Sequence, residues 1–432
     1  MPQRFLGGGA GEPFCKKGSP AERKKHMNYI NGGVCAAKGF RAAGIHCGLR
    51  KNKTKKDVAL IVSDCDCSTA AVYTTNLVKG APIDVTKRNI ANGVARAVIC
   101  NSGNANTCNA NGIEVAEAMC ALVEKHVGIP ACDVVVASTG VIGQPLDISP
   151  MAAHMDELVA ALGCTAEHST NANEAIMTTD VVHKEVAVEF EIAGKRCAMG
   201  GIAKGSGMIH PNMATMLVFI TTDAAISPEL LQKAIRADVA DTFNMVSVDG
   251  DTSTNDTLAV LANGMAENPT ITEEGKDYDD FCAALRAVTS GLCRAIAADG
   301  EGATKLLIAS VSGAADSDNA RRIAKSIITS SLTKAAMFGA DANWGRVLCA
   351  IGYSGAQVDV HKVDVDFVSA AGEVAVCRGG AGVEFSEEKA KEILVEKEIT
   401  IRVALGDGDG IATAYGCDLT YDYVKINGDY RT

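Results

Sequence analysis

The sequence predicts an α/β protein with helices packed on sheets, because two kinds of hydrophobic periodicity alternate along its 432 residues. Short β-branched runs at 58–62, 95–100 and 134–137 are bounded by turn residues, as in strands buried in a sheet. Between them, Val115, Met119, Leu122 and Val123 form one helical stripe over 113–126, and Gly128 and Pro130 supply the stop. Val186, Val188, Phe190 and Ile192 then alternate with Ala187, Glu189 and Glu191, which predicts a strand with one wet face.

In the second half, Ser227 precedes Pro228 and Glu229. Serine caps free N–H groups and proline is tolerated in the first turn, so a helix is expected from there to about Phe243. Ile323, Ile327 and Leu332 predict one long amphipathic helix ending at Gly339, and Ser386 caps a shorter one through about Leu394. Segments 399–405 and 411–418 flank Gly406-Asp407-Gly408-Asp409-Gly410 and read as a hairpin. A calcium loop is the alternative for that turn, but EF-hand spacing is absent.

Forty-one basic against 52 acidic residues give a net charge of -11, so no global positive field exists to displace counterions from a nucleic acid backbone. The longest apolar stretches, such as 216–220, fall far short of the roughly 18 residues a membrane span needs, and no membrane partner is expected. Sixteen cysteines sit mostly alone in apolar segments and read as small buried hydrophobes in a reducing cytoplasm. Cys65 and Cys67 form a C-D-C without a second pair or an adjacent histidine, which is not a zinc pattern. Residues 1–27 are acid-poor and lack the apolar core of a secretory signal. They read as a disordered basic extension, with Met27 a candidate initiator and a mitochondrial transit peptide the sharper alternative.

The most unusual segment is 200–222, where a glycine-rich approach containing Lys204 and Pro211 leads into a β-prone run beginning at Thr215. A glycine loop before a core strand is the plain reading. A P-loop is excluded, because the glycine spacing and the GK[ST] ending are missing. The chemical reading makes Thr215 a latent N-terminal nucleophile. Its hydroxyl attacks the carbonyl of Ala214, water opens the ester, and the new α-amine, with a pKa of roughly 8, serves as base for the hydroxyl beside it.

The stretch 204–222, the turn Ser138-Thr139-Gly140-Val141-Ile142-Gly143, the run Asp341-Ala342-Asn343-Trp344-Gly345-Arg346 and the terminus 423–432 resemble the bifunctional ornithine acetyltransferase/N-acetylglutamate synthase family. The resemblance runs from about Ile30 to the last residue in the family's order and spacing. It implies an acyltransferase of arginine biosynthesis, made as a precursor and self-cleaved between Ala214 and Thr215 into an α chain (28–214) and a β chain (215–432). It further implies an α/β sandwich in which both chains share one site, and α2β2 assembly. The implied reaction is ping-pong: N-acetylornithine acetylates Thr215, ornithine leaves and glutamate takes the acetyl group. No metal or cofactor is called for, and acetyl-CoA stays open as a second acetyl donor. A self-processed amidohydrolase or aminopeptidase of similar architecture, with water as acceptor, is the alternative.

The resemblance assigns Thr139 and Gly140 to an oxyanion hole and Thr178, Lys204, Thr215, Glu301, Asn427 and Thr432 to substrate binding. Thr178 and Thr179 compete for one of these positions. The natural task of Glu301 would be to pair with the ornithine ammonium, and that of Lys204 to attract an α-carboxylate. Asp249, Asp251 and Asp256 are expected in an acidic, hydrogen-bonded loop near the pocket and not at a cation site.

Overall fold

The computed structural model describes residues 27–210 and 216–429. Their strands form two sheets. The chain lays down β1 (Asn28–Ile30), β2 (Phe40–Ile45), β3 (Val58–Tyr73), β4 (Val94–Asn101), β5 (Val134–Ser138), β6 (Lys184–Ile192), β7 (Lys195–Lys204) and β8 (Leu217–Thr222), then β9 (Val246–Ser247) and β10 (Thr257–Ala262). The first sheet runs β1-β6-β7-β8-β10-β3-β4-β5. Along one edge of the long β3, residues 58–63 bond β2 and residues 68–73 bond β10.

Strands β8 and β10 come from the second half of the chain, yet they fill the middle of this sheet, between β7 and β3. They run parallel to each other, and every residue of both is buried. An apolar run without alternation fits a strand covered on both faces. Val218 and Ile220 enter one core with Leu231, Ile235, Phe281 and Leu292; Leu217 and Phe219 enter another with Ala172 and Ile176.

The second sheet, β14-β13-β12-β15-β11-β16-β9, adds β11 (Leu306–Ala314), β12 (Asp364–Ser369), β13 (Gly372–Arg378), β14 (Ala381–Gly382), β15 (Glu398–Ala404) and β16 (Gly410–Cys417). Helices Pro228–Asp241 and Lys276–Ala298 share one core with residues of both sheets, including Ile308 and Cys417. Helices Gly112–Val127 and Ser149–Ala160 pack on β2 to β5, and Ser317–Thr329 packs on β11 and β16. The result is an α/β sandwich of two sheets with helices between and outside them.

Helix Lys276–Ala298 is long and apolar enough to cross a membrane by length and composition. Its stripe of Phe281, Leu285, Val288, Leu292 and Ile296 is instead buried and packs on β6 and β7. Charges at Asp277, Asp279, Asp280, Arg286 and Arg294 interrupt the apolar run.

Four expectations are corrected. The segments around 399–405 and 411–418 do not pair with each other. β11 lies between them, parallel to β15 and antiparallel to β16. Five residues suffice to cross two strand spacings of roughly 4.8 Å each, so the turn residues were compatible with either topology. The helix expected to run continuously to Gly339 is two, Ser317–Thr329 and Ser331–Phe338. Ser330 leaves the helical region at ψ 109°, and its hydroxyl caps Thr333 N–H. Ile323 and Ile327 are buried as expected, but Leu332 is exposed. The glycines at 200 and 201 belong to β7 and not to a loop. A Cβ at Gly200 would stand 1.9 Å from the Gly33 carbonyl oxygen, so close packing excludes a side chain there. Finally, the face of β6 expected to be wet is partly covered, since Glu185 accepts hydrogen bonds from Ser169 and Thr170 of helix Ala166–Ile176.

Candidate active site

The pocket forms where β5 and β7 end. β5 delivers Thr139 into the turn after Ser138, and Thr139 N–H donates to Asn101 O at 2.9 Å. Gly140 follows at φ +125°, and a Cβ there would lie 2.8 Å from the carbonyl carbon of Gly103. Both conformation and space therefore require glycine. Lys204 is the last residue of β7, not a loop residue, and it is buried. Its ammonium donates to Thr139 Oγ1 at 3.3 Å. With its oxygen engaged as an acceptor, the Thr139 hydroxyl keeps its proton free to donate into the pocket.

A buried ion cluster holds the walls. Lys184 Nζ lies 2.6 Å from both Asp180 Oδ1 and Asp299 Oδ2. Asp180 also accepts Gly205 N–H at 2.6 Å and Thr178 N–H at 3.0 Å. Asp299 Oδ2 accepts the N–H groups of Val181 and Val182, while its carbonyl accepts the Ser206 hydroxyl at 2.7 Å. Burial opposes ionisation of Asp180, but Lys184 and Lys204 hold its carboxyl well below the usual range. Burial pushes Asp299 up despite Lys184, with Asp180 adding to the rise. Of the two carboxylates sharing Lys184, Asp299 is the one that takes a proton first.

Glu301, which also lines the pocket, is buried, and its N–H donates to Ser206 O at 2.9 Å. Its Oε2 accepts from Asn427 Nδ2 at 2.8 Å, which ties it to helix Tyr421–Asp429. The carboxylate of Asp249 accepts Met208 N–H at 2.6 Å and Ile209 N–H at 2.9 Å, and burial raises its pKa in spite of them. Nearby, burial and Lys325 push the His210 imidazole down to about 4.

Thr139, Gly140, Thr178, Thr179, Lys204, Glu301 and Asn427 all line one cavity of about 160 Å³. A chamber of about 20 Å³ also borders Thr139 and Lys204 and reaches Met216. Ala214, Thr215 and Thr432 lie outside the described residues, as does most of the 1–27 extension. Asp249 and Asp251 line the larger cavity and Asp256 the chamber. No group of three side chains suited to holding a metal occurs among the described residues. Sequence reasoning missed Lys184, Asp180 and Asp299 as a unit; the four-residue spacing of Asp180 and Lys184 was the one available signal.

A hydroxyl, an ammonium, a glycine turn and a carboxylate lining one pocket of an α/β sandwich are parts that an acyltransferase site needs. Residues 41–432 match the ArgJ family, and the chain belongs to it. It is 50% identical over 407 residues to the arginine biosynthesis bifunctional protein ArgJ of Caldanaerobacter subterraneus, covering 94% of this chain and all of that protein. The protein of the same name from Symbiobacterium thermophilum is also 50% identical, over 408 residues, with 94% and 100% covered. Among solved structures, the arginine biosynthesis bifunctional protein of Bacillus halodurans aligns with a TM-score of 0.47 at 46% identity, over 50% of this chain and 98% of that one. An ornithine acetyltransferase from Mycobacterium tuberculosis, complexed with ornithine, aligns with a TM-score of 0.41 at 34% identity, over 44% and 100%.

Proposed function

We propose that the protein is a glutamate N-acetyltransferase that moves the acetyl group of N-acetylornithine to glutamate through an acetyl-Thr215 intermediate. The observation that carries this reading is one pocket lined both by the Lys204–Thr139 pair and by Glu301 with Asn427. A substrate with an α-carboxylate, an acylated α-amine and a terminal ammonium has complementary groups for both. Membership of a family whose curated relatives are named arginine biosynthesis bifunctional proteins supports the same reading.

In this scheme the chain first cuts itself between Ala214 and Thr215, giving chains 1–214 and 215–432. The freed α-amine takes the proton of the Thr215 hydroxyl as its oxygen attacks the acetyl carbonyl. The tetrahedral oxyanion is held by the Thr139 hydroxyl and the Gly140 N–H, a preorganised pair of donors. Collapse expels ornithine, whose amine leaves with the proton. Glutamate's amine then attacks the acetyl ester and regenerates Thr215. Thr178 and Thr432 complete the substrate-binding set. The acetyl group arrives on the substrate, so the scheme calls on no metal or cofactor, and acetyl-CoA serves as a second donor in the synthase half-reaction. We further propose α2β2 assembly and a cytoplasmic location. The fifteen cysteines among the described residues, all free thiols, support a reducing compartment.

The test combines intact mass with turnover. The purified protein should run as two chains with a new N-terminus at Thr215, gain one acetyl group on the 215–432 chain when given N-acetylornithine, and lose it to glutamate. Release of ornithine that does not depend on glutamate would instead mark a hydrolase. A single uncut chain that transfers acetyl groups would overturn the nucleophile.

A further inference from the structure

Asp256 immediately precedes β10. Its backbone carbonyl accepts Thr74 N–H at 3.1 Å, and the next residue, Thr257, donates its N–H to Met216 O at 2.9 Å. The side chain is 2% exposed, and Oδ2 has no hydrogen-bond partner among the described residues. Among the described residues no ion pair joins it to Lys204. It lines the small chamber that also borders Thr139, Lys204 and Met216.

A buried carboxyl with an open oxygen has two states. As a carboxylate it would be a buried charge without a bonded partner, which is costly. As an acid it carries a hydrogen that needs an acceptor. The chamber offers room for about one water-sized group. Asn255 and Ser253 border that space too, but the Asn255 amide is engaged with Thr107, Thr254, Ala105 and Ser138, and Ser253 Oγ accepts Asn255 N–H. The Thr139 hydroxyl and the Lys204 ammonium are the other polar groups, and both can donate, so an oxygen suits the space.

We infer that Asp256 is a third hydrogen-bond donor to the reacting acyl oxygen, sharing this chamber with Thr139 and Lys204. The inference rests on the acyl-transfer reading above. Burial raises the carboxyl well above its usual range, with Ser253 and Lys204 opposing, which favours the protonated form that the open oxygen calls for. The groups around Asp256 are consistent with this. Lys204 on β7 is the charged one. Tyr73, from the neighbouring β3, has a phenol that burial keeps protonated. Met216 and Leu217 are apolar, and Ser253 and Asn255 are neutral. A protonated aspartate in an oxyanion hole has precedent in general enzymology.

The experiment is steady-state transfer from N-acetylornithine to glutamate between pH 6 and 10, on cleaved wild type, Asp256→Asn and Asp256→Ala, with folding checked by urea unfolding. Alanine removes the donor, and kcat should fall roughly 10²-fold with KM within about threefold. Asparagine keeps a donor of the same shape, and kcat should fall less than about tenfold. Wild-type kcat should decline on the alkaline side as Asp256 loses its proton, and Asp256→Asn should lack that limb. An Asp256→Ala enzyme within about threefold of wild type overturns the inference. So does an Asp256→Asn enzyme as slow as the alanine variant, since charge would then be the requirement. A variant that stays uncut assigns Asp256 to a step before acyl transfer and also overturns it. Should alanine fail to fold, the alkaline limb of Asp256→Asn decides alone: its loss supports the inference and its persistence overturns it. Failure of wild type to transfer acetyl groups is a different result, which removes the functional reading and this inference with it.

Discussion

Replacing Glu301 with glutamine keeps the shape of the side chain and removes its charge. The carboxylate is about nine-tenths buried, and Oε2 is already engaged by the Asn427 amide at 2.8 Å, which leaves Oε1 for a ligand. In the variant the amide oxygen satisfies Asn427, so the NH₂ group turns to the cavity. A donor then confronts the terminal ammonium of N-acetylornithine. The loss is one charge-assisted hydrogen bond, about 1.5–3 kcal/mol, which converts to a roughly 10- to 150-fold fall in kcat/KM. N-acetylnorvaline has the same acetylated α-amine and α-carboxylate but no terminal ammonium, and should fall less than about threefold. Measuring both donors on both proteins at saturating glutamate isolates the one interaction as a ratio of ratios. Equal falls would refute the reasoning, because Glu301 would then be acting through Asn427 on the pocket's shape or in proton transfer.

Thr139→Ala should lower kcat by roughly 10² to 10³ with a smaller change in KM, in a protein that is still cut; unchanged kcat would remove Thr139 from the site. Thr215→Ala should remain one chain on a denaturing gel and transfer no acetyl groups. Lys184→Met leaves Asp180 and Asp299 buried without their cation and should cost about 3–5 kcal/mol in urea unfolding, partly recovered by adding Asp299→Asn. His210 has its pKa lowered to about 4 in the folded protein, so the unfolded chain binds more protons between there and the ordinary value near 6.5. Its contribution to stability is therefore complete above that range and is lost as pH falls through it. His210→Asn should unfold less steeply with acid than wild type over the same range.

Single elements with one strong signal were legible in the sequence. The Ser227 hydroxyl oxygen caps the helix by accepting Leu230 N–H where expected, and Gly128 ends its helix in the left-handed region. The pairing of strands was not legible, because β15 and β16 carry apolar alternation that is satisfied equally by each other or by β11. Helix continuity at Ser330 failed for a related reason: serine both caps helices and sits within them, and only the backbone turn decides. In the pocket, Thr139 and Lys204 were named through the family resemblance, because a turn after an apolar strand and a lysine in a glycine-rich approach are ambiguous on their own, and the fold brings both to one cavity. Lys184 was hidden, because a lysine opening a strand looks solvated until a fold brings Asp180 and Asp299 to it. Asp256 was noticed only as part of an acidic run. Its isolation from partners is a property of three-dimensional packing.

The position of β8 and β10 fixes an order of events in the life of the molecule. Without residues 215–432, the first sheet would have a gap two strands wide, with β7 and β3 presenting bare edges across it. Unpaired edges of that kind recruit other chains. On the proposed scheme, therefore, assembly comes before scission, since neither half completes this sheet alone. After the proposed cut before Thr215, the six-residue ladder between β7 and β8 would hold the pieces together. Such a cut would then record that folding has succeeded. Chains 1–214 and 215–432 expressed from separate messages should aggregate, whereas the same two chains produced from one precursor should stay soluble and travel together through every step short of denaturation.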